Sequence, residues 1–325
     1  MNNKLTPFFK WSGGKRKEIT HVIEFMPKQY NTFYEPFLGG GAVWLALKPD
    51  KSIVGDYYNE VITFYKCLQN NGQGFVAEIN QISSEYNQII KTDYNAETAE
   101  EFGLEIDKRS AILKKIKAIT TTDEFQIIKP LIAGEIKSLK AEARAQFKNA
   151  ADFYYKWRAL KSQKDKDIAK RFFVLRCLAY GGMLRFNSKG EFNIPYGYYR
   201  SFKKLSWNQG YDTIFKNTKF ICDTWQETLI TSTNDDFVFL DPPYTREFKE
   251  YSANNIFGND DQIELADWFK SKKSKAMIII NKDDFTYNLY KDYIVKEYDF
   301  KYAVKYRDRF TDEDAKTKHI LAINY

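Results

Sequence analysis

Asp241-Pro242-Pro243-Tyr244 stands directly after the apolar run Phe237-Val238-Phe239-Leu240. A carboxylate, a carbonyl held by a proline ring and an aromatic face in one short loop can grip a planar base by its exocyclic amine and stack on it. Such an amine is a poor nucleophile because its lone pair is delocalised into the ring. If Asp241 accepts one amino hydrogen and the Pro242 carbonyl the other, both bonds favour a pyramidal nitrogen whose lone pair points at an electrophile. The prolines fix φ near about −65° and remove backbone donors, so the loop stays rigid and presents carbonyls. The plainer reading of these residues is a strand terminator followed by an Asp-capped turn.

A glycine-rich segment, Glu35-Pro36-Phe37-Leu38-Gly39-Gly40-Gly41, lies far upstream, after the strand-like Phe33-Tyr34 and before the helix-compatible Ala42 to Leu47. Such a turn lets a ligand approach the backbone closely. Its spacing is neither the GxGxxG of a dinucleotide site nor the GK[ST] ending of a Walker loop. Asp56 follows at the close of Ser52-Ile53-Val54-Gly55, where a carboxylate can accept two hydrogen bonds from ribose hydroxyls. A ribose-bearing cofactor without a pyrophosphate fits this pair of features better than NAD. Before both comes Phe8-Phe9-Lys10-Trp11-Ser12-Gly13-Gly14-Lys15. A lysine here can answer a cofactor carboxylate, and the Trp11 indole can cover an apolar edge. The plainer readings are a tight turn, a solvated strand-end aspartate and an N-terminal arm capping a sheet.

These residues need a scaffold, and the pattern supplies one. Strand, glycine turn, helix and acidic strand end make half of a nucleotide-binding α/β unit. From about residue 66 to about 180 the chain turns helical and highly charged, with apolar residues at three- and four-residue spacing. The segment Arg185 to Gly197, with a Ser-Lys-Gly turn, reads as a hairpin or loop. Strand-type runs return at Lys219 to Cys222, Phe237 to Leu240, Ala276 to Ile280 and Ile320 to Tyr325. A sheet interrupted by a helical insertion explains that order.

At 325 residues with 43% hydrophobic and 17% aromatic side chains, the chain can bury a full core around one catalytic domain with a sizeable insertion. Lys and Arg number 50 against 43 Asp and Glu, and this +7 balance suits a polyanionic partner. Cys67, Cys177 and Cys222 form no CxxC pair, so neither a disulfide framework nor a zinc or other metal site is expected. No apolar run approaches the ~18 residues of a membrane span, and Lys4 and Lys10 interrupt any signal-type apolar region. The expectation is a cytoplasmic protein with no export or membrane signal.

The residues together resemble the Dam-type, alpha-group DNA adenine N6-methyltransferases, which use S-adenosylmethionine. The likeness comprises Lys10 to Lys15, Glu35-Pro36-Phe37 with Gly39 to Gly41, Asp56, the loop Asn187 to Gly197, Asp241 to Tyr244 and the closing Ile320 to Tyr325, all in the family's order. It implies an α/β fold: a seven-stranded, mostly parallel, Rossmann-like methyltransferase sheet with an inserted helical target-recognition domain. The catalytic part would be 1–65 and 216–325, and the insertion 66–215. The implied activity is site-specific transfer of the methyl of S-adenosylmethionine to the exocyclic amine of a flipped adenine in double-stranded DNA. A restriction endonuclease is a candidate partner, and a nucleoid location follows from the substrate.

By the same resemblance the catalytic loop is Asp241, Pro242, Pro243 and Tyr244, with Tyr244 stacking on the extracted base. Cofactor contacts fall on Trp11, Lys15, Glu35, Phe37, Gly39, Gly41, Asp56, Asp241 and on Thr224-Trp225 beside the adenine. DNA contacts fall on Lys10, Tyr180, Met183, Arg185, Asn187, Lys189, Pro195 and Arg200. Tyr180 takes the place of an aromatic wedge that fills the gap left by the flipped base. Arg185 and Lys10 can each read a guanine, and Met183 and Pro195 can touch a thymine methyl, which suits a GATC-like site; packing or phosphate contact is the alternative for each. Basic residues of the insertion, Lys114, Lys115, Lys117, Lys156, Arg158, Lys161, Lys164, Lys166, Lys170 and Arg171, can follow phosphates or form a solvated helix face. The chain departs from the family in a longer, more charged stretch at about 83 to 150, and in His319, where an acidic residue is frequent. His319 touches only the edge of the resemblance.

A cytosine C5-methyltransferase would use a Pro-Cys nucleophile, whereas Lys66, Arg176 and Ile221 precede the three cysteines. A cytosine N4-methyltransferase shares the lone-pair logic but often carries Ser at the position of Asp241. Protein glutamine methyltransferases tend to begin the loop with Asn and lack the large basic insertion. A DNA-binding relative without catalysis sits poorly with intact Lys15, Asp56 and Asp241.

Overall fold

The computed structural model describes residues 5–11, 13–93, 108, 111–112, 116, 122–187, 189–243, 257–301 and 316–325. Seven strands form one sheet: β1 Phe33–Glu35, β2 Ser52–Gly55, β3 Thr218–Ile221, β4 Phe237–Leu240, β5 Lys275–Asn281, β6 Ile294–Lys301 and β7 Lys316–Ile323, in the order β3-β2-β1-β4-β5-β7-β6. Pairing is parallel from β3 through β5, and β7 runs antiparallel to both β5 and β6.

The central strands are apolar without interruption because both of their faces are covered. Phe237 and Phe239 of β4 join Phe33, Val54, Met277 and Ile279 in the core on one face. Val238 and Leu240 join Tyr34, Ile278 and Ile280 in the core on the other. The strand period of two thus splits a single run such as Phe237-Val238-Phe239-Leu240 between two cores.

Two strands depart from the sequence-based expectation. β6, Ile-Val-Lys-Glu-Tyr-Asp-Phe-Lys, was not expected at all: it is an edge strand whose residues alternate half-buried and exposed, so charges interrupt its apolar signal. β7 begins at Lys316 rather than Ile320, because its polar start pairs with β6, Lys318 with Asp299 and Thr317 with Phe300. Cross-strand pairing rather than composition sets that boundary.

The helical segment leaves after β2 and returns at β3. Its helices are α3 Asn59–Asp93, α4 Thr122–Ala145, α5 Lys148–Ala159 and α6 Asp165–Leu178, preceded by α1 Ile19–Phe25 and α2 Ala42–Leu47 and followed by α7 Gln209–Lys216. α3 kinks at Asn71, whose φ of −158° and ψ of 75° are not helical. Next to the kink, Gly72 lies under Trp207, where a Cβ would come within 2.0 Å of the indole. Phe64 of α3 stacks on Phe173 of α6 with ring centroids 5.5 Å apart and planes 6° off parallel. These rings belong to the same buried cluster as Phe33 and Phe237, so insertion and sheet share one core. No helix among the described residues is long and apolar enough to cross a membrane.

The sheet order reverses between β1 and β4, each of which continues in a different direction. In such sheets the crevice at the carboxyl ends of the strands on either side of the reversal is where ligands bind. The loops leaving β1 and β4 begin at Pro36 and Asp241.

Candidate active site

Asp241 follows the last residue of β4, so the buried strand fixes its backbone at the crevice. Its Oδ1 accepts a hydrogen bond of 2.5 Å from Lys15 Nζ, which also donates to the Gly13 carbonyl at 3.0 Å. The Lys15 side chain is 2% exposed and that of Asp241 20%. Lys15 lies on a 3-10 turn, Lys15–Lys17, entered through Gly13, which has a φ of +73°. Burial pushes the Asp241 carboxyl up to about 6 against the pull of the Lys15 ammonium. The pair therefore keeps one carboxylate oxygen engaged. Oδ2 accepts no hydrogen bond among the described residues.

Pro242 is buried and Pro243 half-buried. The Pro243 carbonyl accepts a hydrogen bond of 2.9 Å from Gln262 Nε2, on the helix α9 Asn259–Lys270. Gln262 is fully buried, so the loop is anchored to a helix downstream of it. Tyr244, expected to stack on the base, lies outside the described residues.

The second carboxylate, Asp56, sits at the end of β2 and is held by backbone rather than by a cation. Its Oδ2 accepts from Gly39 N at 2.8 Å and its Oδ1 from Tyr58 N at 2.9 Å. Burial pushes it up to about 6, and these two hydrogen bonds pull the other way. The glycine loop is shaped for close approach. Gly39 adopts φ +47° and a Cβ on it would lie 2.4 Å from the Trp11 indole nitrogen, while one on Gly40 would meet Trp11 Cβ at 3.0 Å. Glu35 is buried and its Oε2 accepts from Trp44 N at 2.9 Å, capping α2. Burial, with Asp241 and Asp56 nearby, raises its carboxyl well above the ordinary range. Phe37 packs edge-on against Phe257.

Thr224 caps α8, Trp225–Leu229, by accepting from Glu227 N at 3.3 Å, and Trp225 is buried against Trp268. The expected cofactor residues thus cluster at the ends of β1, β2, β3 and β4. Oxygen acceptors at Asp56 and Asp241, an ammonium at Lys15 and a backbone cradle that side chains would fill match a ribose, an amino acid moiety and a close-packed purine. The donor set fits S-adenosylmethionine.

Sequence reasoning missed Glu18 here and named His319 only as a departure from the family. Glu18 is 1% exposed and His319 0%. His319 Nδ1 lies 2.7 Å from Glu18 Oε1, which also accepts from the Tyr298 hydroxyl at 2.5 Å. His319 lies in β7 opposite Asn281, at the carboxyl end of β5. Burial works to raise Glu18, but His319, Lys15 and Tyr298 outweigh it and hold the group below the ordinary glutamate value. Composition gave no signal, because His319 closes the polar start of β7, Lys316-Thr317-Lys318-His319, just before the apolar Ile320 to Ile323.

Apart from Lys10, which lies in the N-terminal arm, the expected DNA-contacting residues lie on one connected surface loop, 180–200. Tyr180 is 60% exposed on a turn made by Gly181 at φ +65° and Gly182 at φ +61°. Its backbone N–H donates to the Pro195 carbonyl at 2.9 Å, tying the two ends of the loop together. Arg185, Lys189, Pro195, Arg200 and Lys10 are exposed, and Met183 is half-buried. Arg185 Nε donates to Asn193 Oδ1 at 2.9 Å. Asn187 uses its side chain to build the turn, accepting from Lys189 N and Glu191 N at 3.0 and 2.9 Å.

The loop reaches the cofactor arm through Arg176, whose guanidinium donates to the Lys10 carbonyl and lies 4.9 Å from the Trp11 ring. Several basic residues expected to follow phosphates are committed elsewhere. Lys166 and Lys170 pair with Glu78 at 2.7 and 2.5 Å, and Arg158 and Arg171 donate to the carbonyls of Ile194 and Arg158. Lys114, Lys115 and Lys117 lie outside the described residues.

The chain matches the family described as D12 class N6 adenine-specific DNA methyltransferase over residues 11–125 and 120–304. It is 27% identical over 326 residues to the type II methyltransferase M.CviBI of Paramecium bursaria Chlorella virus NC1A, covering 99% of this chain and 100% of the relative. It is 25% identical to the type II methyltransferase M1.LlaDCHI of Lactococcus lactis subsp. cremoris, covering 99% and 96%. It is likewise 25% identical to the DNA adenine methylase of Haemophilus influenzae, covering 88% and 83%.

Proposed function

The chain belongs to the D12 class of N6 adenine-specific DNA methyltransferases, and from that premise we propose how its residues divide the work. The protein is a DNA adenine N6-methyltransferase with an α/β catalytic sheet. In our reading residues 1–65 and 216–325 carry the chemistry and 66–215 the recognition of the target.

S-adenosylmethionine, when bound, supplies the electrophilic methyl carbon. Asp56 and the Gly39 to Gly41 loop hold its nucleoside, with Phe37 and the Thr224-Trp225 segment at the purine, while Trp11 and Lys15 meet its amino acid end. Tyr180 enters the duplex as the target adenine swings out, offsetting a cost of a few kcal/mol. Tyr244 stacks on that base. Asp241 accepts one amino hydrogen through Oδ2 and the Pro242 carbonyl accepts the other, which localises the nitrogen lone pair toward the methyl. Asp241, ionised above about 6, takes up the proton that the methylated nitrogen sheds.

The observation that carries this reading is the Lys15–Asp241 pair at the end of β4. A buried ammonium on Oδ1 fixes the rotamer and leaves Oδ2 as the acceptor. Lys10, Met183, Arg185, Asn187, Lys189, Pro195 and Arg200 flank the duplex, Asn187 by shaping the loop. Because relatives from a chlorella virus and from L. lactis are named type II methyltransferases, we assign this chain to a restriction-modification pair acting on the nucleoid in the cytoplasm, with a cognate endonuclease as partner. Expression in a host lacking DNA methylation, followed by methylation-sensitive sequencing, is expected to show N6-methyladenine within one short motif. Methylation scattered over all adenines would remove the recognition role of 66–215, and methylated cytosine would overturn the assignment of the base.

A further inference from the structure

The two peptide donors on Asp56 each lead, through ring contacts, to the helical insertion. Gly39, which donates to Oδ2, lies under the Trp11 indole. Tyr58, which donates to Oδ1, sets its ring edge-on to Phe186 of the 180–200 loop, with centroids 6.1 Å apart. Trp11 in turn meets the insertion at Arg176, in the last turn of α6. Arg176 is 4% exposed. Its guanidinium donates to the Lys10 carbonyl and lies 4.9 Å from the Trp11 ring, so one planar cation holds two consecutive residues of the N-terminal arm. One turn earlier in α6, Phe172 meets Phe9 of the same arm edge-on, with centroids 5.1 Å apart. The backbone around Arg176 supports the loop. A Cβ on Gly182, in the turn that carries Tyr180, would come within 3.2 Å of the Arg176 carbonyl, and Gly197 N donates to the Leu178 carbonyl at 2.8 Å.

We propose that Arg176 is a positioning residue that couples the two ligands: it sets the Lys10–Trp11 arm against the recognition loop, so that bound duplex tightens the cofactor site and bound cofactor tightens the hold on duplex. The proposal rests on the reading of Trp11 and Asp56 as cofactor contacts and of Lys10 and the 180–200 loop as duplex contacts. Lys10 and Trp11 then serve different ligands from adjacent positions of one arm. Ordering that arm costs free energy when the first ligand binds and not again when the second does, which is positive cooperativity. A guanidinium can donate in its plane while its face lies on a ring, which an ammonium cannot. Arg176 is also too deeply buried to serve a phosphate, in contrast to the exposed Arg185 and Lys189 of the loop.

The test uses the full chain and S-adenosylhomocysteine, which carries no transferable methyl. Its binding is measured by calorimetry with and without a short unmethylated duplex bearing the motif mapped by sequencing. In the wild type the duplex is expected to tighten this binding about fivefold or more, and by linkage S-adenosylhomocysteine tightens duplex binding by the same factor. Arg176→Met keeps an unbranched stem and removes the donors and the charge. Its factor is expected to fall below about twofold, with Arg176→Lys between Met and the wild type. A merely structural role would weaken binding alike with and without duplex and leave the factor unchanged. No tightening in the wild type, or a wild-type factor in Arg176→Met, overturns the proposal. Should Arg176→Met not fold in a thermal melt, Arg176→Lys decides alone: a reduced factor supports the coupling and a wild-type factor overturns it. Asp56→Ala and Tyr180→Ala separate this from the underlying reading. If the first binds S-adenosylhomocysteine, or the second the duplex, as tightly as the wild type, the placement of that ligand is refuted. Weakened binding in both, beside an unmoved factor in Arg176→Met, refutes only the coupling.

Discussion

The two carboxylates of the crevice share depth and titration range yet are held in opposite ways. Asp56 is gripped by two peptide N–H groups, Gly39 and Tyr58, and Asp241 by the ammonium of Lys15. Burial raises each to about 6. Peptide donors are fixed dipoles that orient both oxygens and leave spare lone pairs for hydroxyls, which suits a binding site. An ammonium neutralises one oxygen and stabilises charge on the other, which suits a group whose partner changes protonation during the reaction. In the proposed reading the same residue type therefore serves recognition at one strand end and chemistry two strands away, and its partners decide which.

The largest test of that division is removal of each carboxylate. Asp241→Ala is expected to lower kcat by about 10³ or more, with the fold retained in a thermal melt. A folded variant that retains turnover would break the comparison at its catalytic side. Asp56→Ala should raise the KM for S-adenosylmethionine by roughly 100-fold while kcat at saturation survives, since the loss is of a binding contact. A matched fall in kcat would show that the two sites are not separable.

Acid sharpens the contrast. Both groups are ionised above about 6 and protonate below it. Below that pH the kcat/KM for the cofactor should fall with a slope of two and kcat with a slope of one, about a tenfold difference at pH 5. Equal slopes would mean that only one carboxylate matters. Stability moves the other way. Because both folded values lie above the ordinary value of about 3.9, the native chain binds more protons than the unfolded one between about 6 and 4, so these groups add stability as the pH falls through that window. Glu18, held below its ordinary value, opposes them.

The smallest effect is at Gly39. A methyl there meets Trp11 at 2.4 Å on a backbone with φ +47°, costing about 1–2 kcal/mol. Gly39→Ala should weaken cofactor binding about tenfold by calorimetry, leaving the pH dependence of kcat as it is.

What could be read in the chain and what could not follows from the same physics. Phe237 to Leu240 and Ser52 to Gly55 announced themselves because parallel strands covered on both faces tolerate little that is polar. β6 stayed hidden because an edge strand with one wet face, Ile294 to Lys301, reads like a charged loop. Asp56 and Asp241 were legible as acids at strand ends, but the source of their partners was not. Lys15 meets Asp241 across 226 positions and Glu18 meets His319 across 301, distances no local pattern encodes. The pairing of Lys166 and Lys170 of α6 with Glu78 was equally illegible, because that partner lies on another helix, α3.

The helical excursion begins and ends on neighbouring strands, with Gly55 beside Ile221 and the Asp56 N–H on the Ile221 carbonyl. Its span is therefore independent of its length. Doubling a connection adds only about 0.6 kcal/mol of closure entropy. With recognition assigned to 66–215 as proposed, exchange of this stretch is expected to change the target sequence and leave the crevice of the sheet in place. Any graft must still rebuild the shared core, including a ring to stack where Phe173 meets Phe64, and supply a guanidinium where Arg176 clasps the arm at Lys10 and Trp11.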